Sequence, residues 1–288
     1  MTGPTAADRP HPSGRATSAG AAPKSYMHPQ LSADGRQVLT WLRMPDYDVW
    51  LYDVASRALT RIVTGAAARR PAWSPDGRRL IFDAPGPDNP VTLYSADVHG
   101  GQAHRLRRVG NSQYAGAWTP DGRTIAYLDP TQTTGFDILT MAADATDAPA
   151  TVLVKGPANE TAPAFSPDGR LAYVSDVTGR EEVYLLRYPA GGAALRVSTS
   201  GGREPVWSAR GDELFYRQGQ TMWATRVTGG ATPRVADSVA LFAGEYDQRP
   251  SFHANYDVAP DGRFLMIRGI APPTTDPRIA VLLRWDAP

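Results

Sequence analysis

Polar and apolar residues alternate in short runs along this chain, and the runs return at regular intervals. Six segments share one pattern: LSADGRQVLTWL, WSPDGRRLIFDA, WTPDGRTIAYLD, FSPDGRLAYVSD, WSARGDELFYRQ and VAPDGRFLMIRG. Their glycines fall at Gly35, Gly77, Gly122, Gly169, Gly211 and Gly262, about 42 to 51 residues apart, a spacing typical of propeller blades. In Ser-Pro-Asp-Gly the proline presets φ, aspartate suits the next turn position and glycine takes the left-handed conformation. Such a turn joins two antiparallel strands. A third strand is predicted in VWLYDV, TLYSADV, DILTMA, VYLLRY, MWATRV and IAVLLRW, all rich in β-branched and aromatic residues. A fourth is predicted in LTRIVT, HRLRRV, TVLVKG, LRVSTS and SVALFAG.

Four short strands cannot bury both their faces alone, whereas sheets stacked around an axis cover one another. The expected fold is therefore all-β, a six-bladed propeller of four-stranded antiparallel blades over residues 25–288, after a disordered tail over 1–24 that is rich in Ala, Gly, Pro, Ser and Thr. No long amphipathic helix is expected. Four residues before the glycines stand Leu31, Trp73, Trp118, Phe165, Trp207 and Val258, which predicts a large apolar side chain packed between neighbouring blades. The last repeat ends at RWDAP, before any fourth strand. The segment around Pro23 to Met27 could supply it, with a three-stranded final blade as the alternative.

The repeated (S/T)-P-D-G-R-x-(I/L)-A-(Y/F) units resemble those of TolB-like propellers and of the propeller domains of prolyl oligopeptidases. The likeness covers about Tyr26 to Pro288. The closing stretch, NYDVAPDGRFLMIRG followed by IAVLLRWD, is similar to propeller modules attached to bacterial serine/threonine kinases and winged-helix regulators. That resemblance implies an interaction or sensing module. The same scaffold carries binding proteins, enzymes and accessory domains, so function has to be read from a site.

Composition narrows the classes. With 30 Lys+Arg against 29 Asp+Glu the net charge is +1, which disfavours nucleic acid and anionic membrane as partners. There is no cysteine, so disulfides, thiolate metal sites and a Cys nucleophile are excluded. No signal-like or membrane-spanning apolar run is present, and the expectation is a soluble, cytoplasmic monomer. No G-x-S-x-G, H-E-x-x-H, phosphate loop or G-x-G-x-x-G motif occurs, so no cofactor is expected. The turn aspartates Asp76, Asp121, Asp168 and Asp261 are spread one per blade and read as turn formers, not calcium ligands. His28 and His253 fall on innermost strands, with Asp257, Glu245 and Asp247 near the second; no metal site is predicted over two ordinary polar residues.

Polar residues gather seven to nine positions before the turn glycines, where the chain enters the innermost strand at one mouth of the axis. Tyr26 and His28, Arg69 and Arg70, Gln113 and Tyr114, Glu160, Arg203 and Glu204, then His253 and Asn255 form this predicted ligand-binding ring. Small residues Ala72, Ala117 and Ala164 further in would leave the channel open below it. Guanidinium groups suit carboxylates or phosphates, carboxylates can act as bases and histidine can shuttle protons. The first functional reading is a binding or interaction module for a peptide, partner protein or small anionic ligand. The second is a cofactor-free lyase, isomerase or cyclase using Arg70 or Arg203 to hold an anionic substrate and His253 or Glu204 to move a proton. A third is a scaffold whose exposed loops, such as Pro85 to Pro90 and Asp129 to Gly135, bind partners.

Overall fold

The computed structural model describes residues 16–22, 24–43, 47–86, 90–107, 111–131, 135–189, 191–229, 233–248, 252–268 and 278–283. Every regular element described is a strand, and each contiguous sheet is an antiparallel meander.

Five blades are each built from one consecutive stretch of chain. From the innermost strand outward, the first is Tyr26–Leu31, Gln37–Leu42, Asp48–Asp53 and Leu59–Val63. The second is Arg69–Trp73, Arg79–Pro85, Val91–Asp97 and His104–Arg105, and the third is Tyr114–Trp118, Thr124–Thr131, Gly135–Ala142 and Thr151–Val154. The fourth blade comprises Glu160–Phe165, Arg170–Ser175, Glu182–Arg187 and Leu195–Arg196. In the fifth, Arg203–Trp207, Glu213–Gln218 and Thr221–Thr228 are followed by Arg234–Val235 and Val239–Ala243, which both pair with Thr221–Thr228. The outer strands of the second and fourth blades are narrower than the sequence suggested.

The remaining sheet is composite: where six blades were expected, five are built from consecutive chain, and the last repeat takes a strand from the N-terminal side, as one of the two expected closures had it, but from a different segment. Tyr256–Val258, Phe264–Arg268 and Arg278–Leu283 take their outer strand from Ala16–Thr17, which pairs with Leu282 and Leu283. The borrowed strand is not the segment around Pro23 to Met27, because Tyr26–Leu31 is already the innermost strand of the first blade. Ala16–Thr17 also falls within the stretch expected to be an unstructured tail; residues 1–15 and 23, with His11, lie outside the described residues.

The apolar core lies between sheets. One cluster joins Leu39 and Trp41 of the first blade to Leu80 and Phe82 of the second, and others join the second to the third, the third to the fourth and the fourth to the fifth. Phe215 and Met222 of the fifth blade meet Phe264 and Met266 of the composite sheet. On its other side Leu265 and Ile267 pack with Tyr26, Val38 and Tyr52 of the first blade. Three indoles latch neighbouring innermost strands: Trp73 donates to Gln30 O, Trp118 to Ala72 O and Trp207 to Ala164 O, each at 3.1 Å.

The turns explain the repeat. In Ser74–Asp76–Gly77, Asp76 accepts from Ser74 Oγ at 2.6 Å and from Arg78 N at 3.1 Å, and Gly77, at φ 68°, donates its N–H to Ser74 O. These hydrogen bonds hold the Asp76 carboxyl below its ordinary range. The same pattern recurs at Asp34, Asp121 and Asp168.

Candidate functional site

Seven residues before its turn glycine, the innermost strand of four blades carries a residue in the left-handed region: His28 (φ 47°), Arg70 (51°), Ala162 (50°) and Glu204 (56°). Each sits where the ladder to the second strand slips, between Met27 and Gln30, Arg69 and Ala72, Thr161 and Ala164, and Arg203 and Val206. All four precede proline: Pro29, Pro71, Pro163 and Pro205. Proline has no N–H to give to the ladder, and it bars the preceding residue from the right-handed helical region. A bulge with an αL residue satisfies both constraints, at a cost of about 1–2 kcal/mol. These His-Pro, Arg-Pro, Ala-Pro and Glu-Pro pairs are the sequence signal that marks the bulges.

Arg70 is spent inside the protein. Its Nε and Nη2 donate to Asp83 Oδ1 and Oδ2 at 2.7 and 2.6 Å, and Asp83 is fully buried. Burial raises the Asp83 carboxyl above its usual range even though Arg70 opposes the shift. The guanidinium lies 4.7 Å from the Tyr114 ring centroid and 5.6 Å from that of Phe252. Phe252 in turn stacks against Tyr114 and Phe136, with centroids 5.3 and 4.7 Å away. Phe252 follows the fifth blade in sequence yet packs on the third, so it caps the mouth from across the ring.

Beside it His253 places Nε2 3.1 Å from Gly116 O and its ring 5.3 Å from His28. Both imidazoles are buried. Burial, with Arg70 nearby, brings His253 down to about 4; burial, then His253 and Arg70, brings His28 well below its ordinary value. At neutral pH the pair is uncharged.

Two cavities lie on either side of this pair. The mouth cavity, about 650 Å³, is walled by Met27, Trp41, Phe136 and Phe252, with Arg43, Asp176 and Glu181 among its polar groups and His28 at its floor. The second, about 350 Å³, is lined by His253, Ala72, Ala117, Ala164 and the large apolar residues Trp73, Trp118, Phe165 and Trp207. His28 lines the first cavity and His253 the second, so the stacked imidazoles border both.

The predicted ring residues separate. His28 and Arg70 line the mouth cavity, and Tyr114 supports Arg70 behind it. Arg69 lies over the Tyr47 ring at 5.7 Å. Tyr26 is buried in the core and donates to Ala22 O. Gln113 and Glu160 are buried behind the mouth; Ser175 donates to Glu160, and burial pushes that carboxyl up to about 7. Asn255 accepts from His28 N at 2.9 Å and Asp257 from Leu31 N at 2.6 Å, so both tie the composite sheet to the first blade. Arg203 and Glu204 open instead on a third cavity of about 400 Å³ between the fourth and fifth blades. There Arg203 pairs with Glu181, and the buried Glu204 lies 3.1 Å from Arg217 Nη1, with burial pushing its carboxyl up to about 7. The four catalytic candidates His253, Glu204, Arg203 and Arg70 therefore do not surround one cavity. Among the described residues no three His, Asp or Glu side chains converge as metal ligands, and the Asp257 carboxylate accepts from the Leu31 and Val258 N–H groups. Sequence reasoning missed Trp41, Arg43, Phe136, Asp176 and Phe252, which come from second and third strands and from a linker.

No known protein-family model matches the sequence. A curated relative, the uncharacterized peptidase YuxL of Bacillus subtilis strain 168, is 29% identical over 79 residues, 27% of this chain; the match spans only 12% of that protein's length. Among solved structures, the putative TolB from Agrobacterium tumefaciens superposes with a TM-score of 0.65 and 19% identity over 92% of each chain. The fold is a TolB-like β-propeller. An oligogalacturonate lyase in complex with manganese shares it, with a TM-score of 0.57 and 15% identity over 88% of this chain and 73% of the lyase. Identities this low carry the fold and nothing of the chemistry.

Proposed function

We propose that this TolB-like propeller is a binding module, with the composite sheet as the sixth blade of a ring closed by the N-terminal strand, and that its ligand site is the mouth cavity. The observation that supports this is the cavity's composition. An aromatic wall of Trp41, Phe136 and Phe252 stands over a floor whose charges are already neutralised, while Arg43 and Asp176 supply opposite charges, each Asp176 oxygen accepting one hydrogen bond from Asn159. Large apolar walls with a few placed polar groups are the usual makeup of a ligand pocket. A short peptide with an apolar side chain suits it: the side chain meets the aromatic wall, and Arg43 and Asp176 meet the backbone or termini. A small anionic ligand finds less here, since Arg70 is committed to Asp83 and both histidines are neutral. The enzyme reading is weaker for the same reason, because its proton-moving groups face different cavities. A cytoplasmic, monomeric protein remains part of this reading.

The test is calorimetric titration with a pool of tripeptides carrying a central phenylalanine. Binding that weakens at least tenfold in both Phe252→Ala and Arg43→Ala supports the mouth. Absence of binding, or binding indifferent to both substitutions, refutes it.

A further inference from the structure

The cavity between the fourth and fifth blades is a separate chemical environment. It adjoins the mouth across Thr161 and Glu181 but has no aromatic residue in its lining; Ser200, Gln218, Arg203 and Glu204 line it together with Arg180 and Arg217. Arg203 spends its Nε on Glu181, and among the described residues no other acceptor meets its Nη1–Nη2 edge. That edge is the fork that takes a carboxylate with two parallel hydrogen bonds. Glu204 Oε2 lies 3.1 Å from Arg217 Nη1 outside hydrogen-bond geometry, while Arg217 and the Asn255 N–H lower the carboxyl's pKa against the larger effect of burial. A buried oxygen so placed costs about 1–3 kcal/mol, which a donor from a ligand would offset. Gln218 and Ser200 add amide and hydroxyl groups that both donate and accept.

We propose that this cavity binds a small hydroxy-carboxylate, with its carboxylate on the Arg203 fork and a hydroxyl donated to Glu204 Oε2. Arg180 and Arg217 also line the cavity but are engaged, Arg180 by Glu182 and Thr199 O and Arg217 by Glu204 and the carbonyls of Asp247 and Tyr246, so one carboxylate is matched by the one guanidinium edge that Arg203 has left. Hydroxyl-bearing carbons satisfy Gln218 and Ser200, which an unsubstituted acid leaves unmet. This proposal is independent of the mouth cavity's ligand.

The test is calorimetric titration of the full chain with gluconate, set against acetate and glucose. Gluconate binding at least tenfold tighter than either, and at least tenfold weaker in Arg203→Gln and in Gln218→Leu, is the expected result. Arg203 and Gln218 are solvent-accessible, so both variants should keep the wild-type circular dichroism spectrum. Phe252→Ala, which touches only the mouth, should leave gluconate affinity unchanged. No gluconate binding, equal binding of acetate or glucose, or indifference to Arg203→Gln overturns the proposal while leaving the mouth reading standing.

Discussion

Replacing Arg70 by alanine would show what that residue is for. If its guanidinium serves a ligand, removing it costs affinity and little stability. The structure says the reverse. Asp83 has no solvent contact, and its two oxygens receive Arg70 Nε and Nη2 at 2.7 and 2.6 Å; among the described residues the one further donor is Ala115 N, at 3.3 Å. Stranding one member of a buried ion pair costs about 3–5 kcal/mol. Asp83 can lessen that cost by taking a proton, since burial already raises its pKa. A carboxyl with a raised folded pKa contributes most at low pH and loses that contribution as pH rises. The penalty of Arg70→Ala should therefore be smaller at pH 5 than at pH 8, and Asp83→Asn should restore most of it in the double variant. Equilibrium urea unfolding of the four proteins at both pH values measures this. A cost below about 1 kcal/mol at pH 8, or a double variant no more stable than Arg70→Ala, would refute the internal role.

Other outcomes follow from the same contacts. His253 is brought down to about 4 in the folded state from an ordinary value of 6.5, so its contribution is present above pH 6.5 and lost as pH falls through 4. Relative to His253→Gln, the wild type should lose about 3 kcal/mol over that interval; the difference curve is needed because buried Glu160 and Glu204, raised to about 7, act with the opposite sign. An unchanged difference between pH 7.5 and 4 would contradict the neutral pair. Trp118→Phe keeps a six-membered aromatic ring but loses the pyrrole ring and its bond to Ala72 O, and urea unfolding should report at least about 1 kcal/mol of destabilisation. Gly116→Ala should be worse than Gly77→Ala. At Gly116 a Cβ would stand 2.5 Å from Ala126 O and 2.8 Å from Pro163, whereas at Gly77 only the left-handed backbone resists, at about 1–2 kcal/mol. Thermal melts that rank the two glycine variants the other way would show that the strand at Gly116 can shift away from both Ala126 O and Pro163.

How much of this was legible beforehand follows from the range of each interaction. The turns are local, with every partner of Asp76 lying within two residues, so the repeat and its strands could be read directly. The bulges were legible in principle from the prolines after His28, Arg70, Ala162 and Glu204. The partner of Arg70 was not, because Asp83 stands opposite Arg69 and only the slipped register brings it to Arg70. Nor was the cap on the mouth: His253 reaches Gly116 over 137 residues of chain. Arg203 and Glu204 looked equivalent to Arg69 and Arg70 by position, yet the buried Arg217 on the adjacent strand draws Glu204 into the gap between blades. The borrowed outer strand at Ala16–Thr17 carries too few residues to have shown a pattern.

Among the described residues one methionine, Met27, lines the mouth cavity, where it also packs in the cluster between the first and second blades, while Met141, Met222 and Met266 are buried in clusters away from the mouth. With ¹³C-methyl methionine incorporated and the Met27 signal assigned by Met27→Leu, NMR during the phenylalanine tripeptide titration should show the Met27 methyl shifting while those three hold still. A bound peptide that leaves Met27 unmoved, or that moves only the methionines between the sheets, would contradict the mouth as the binding site.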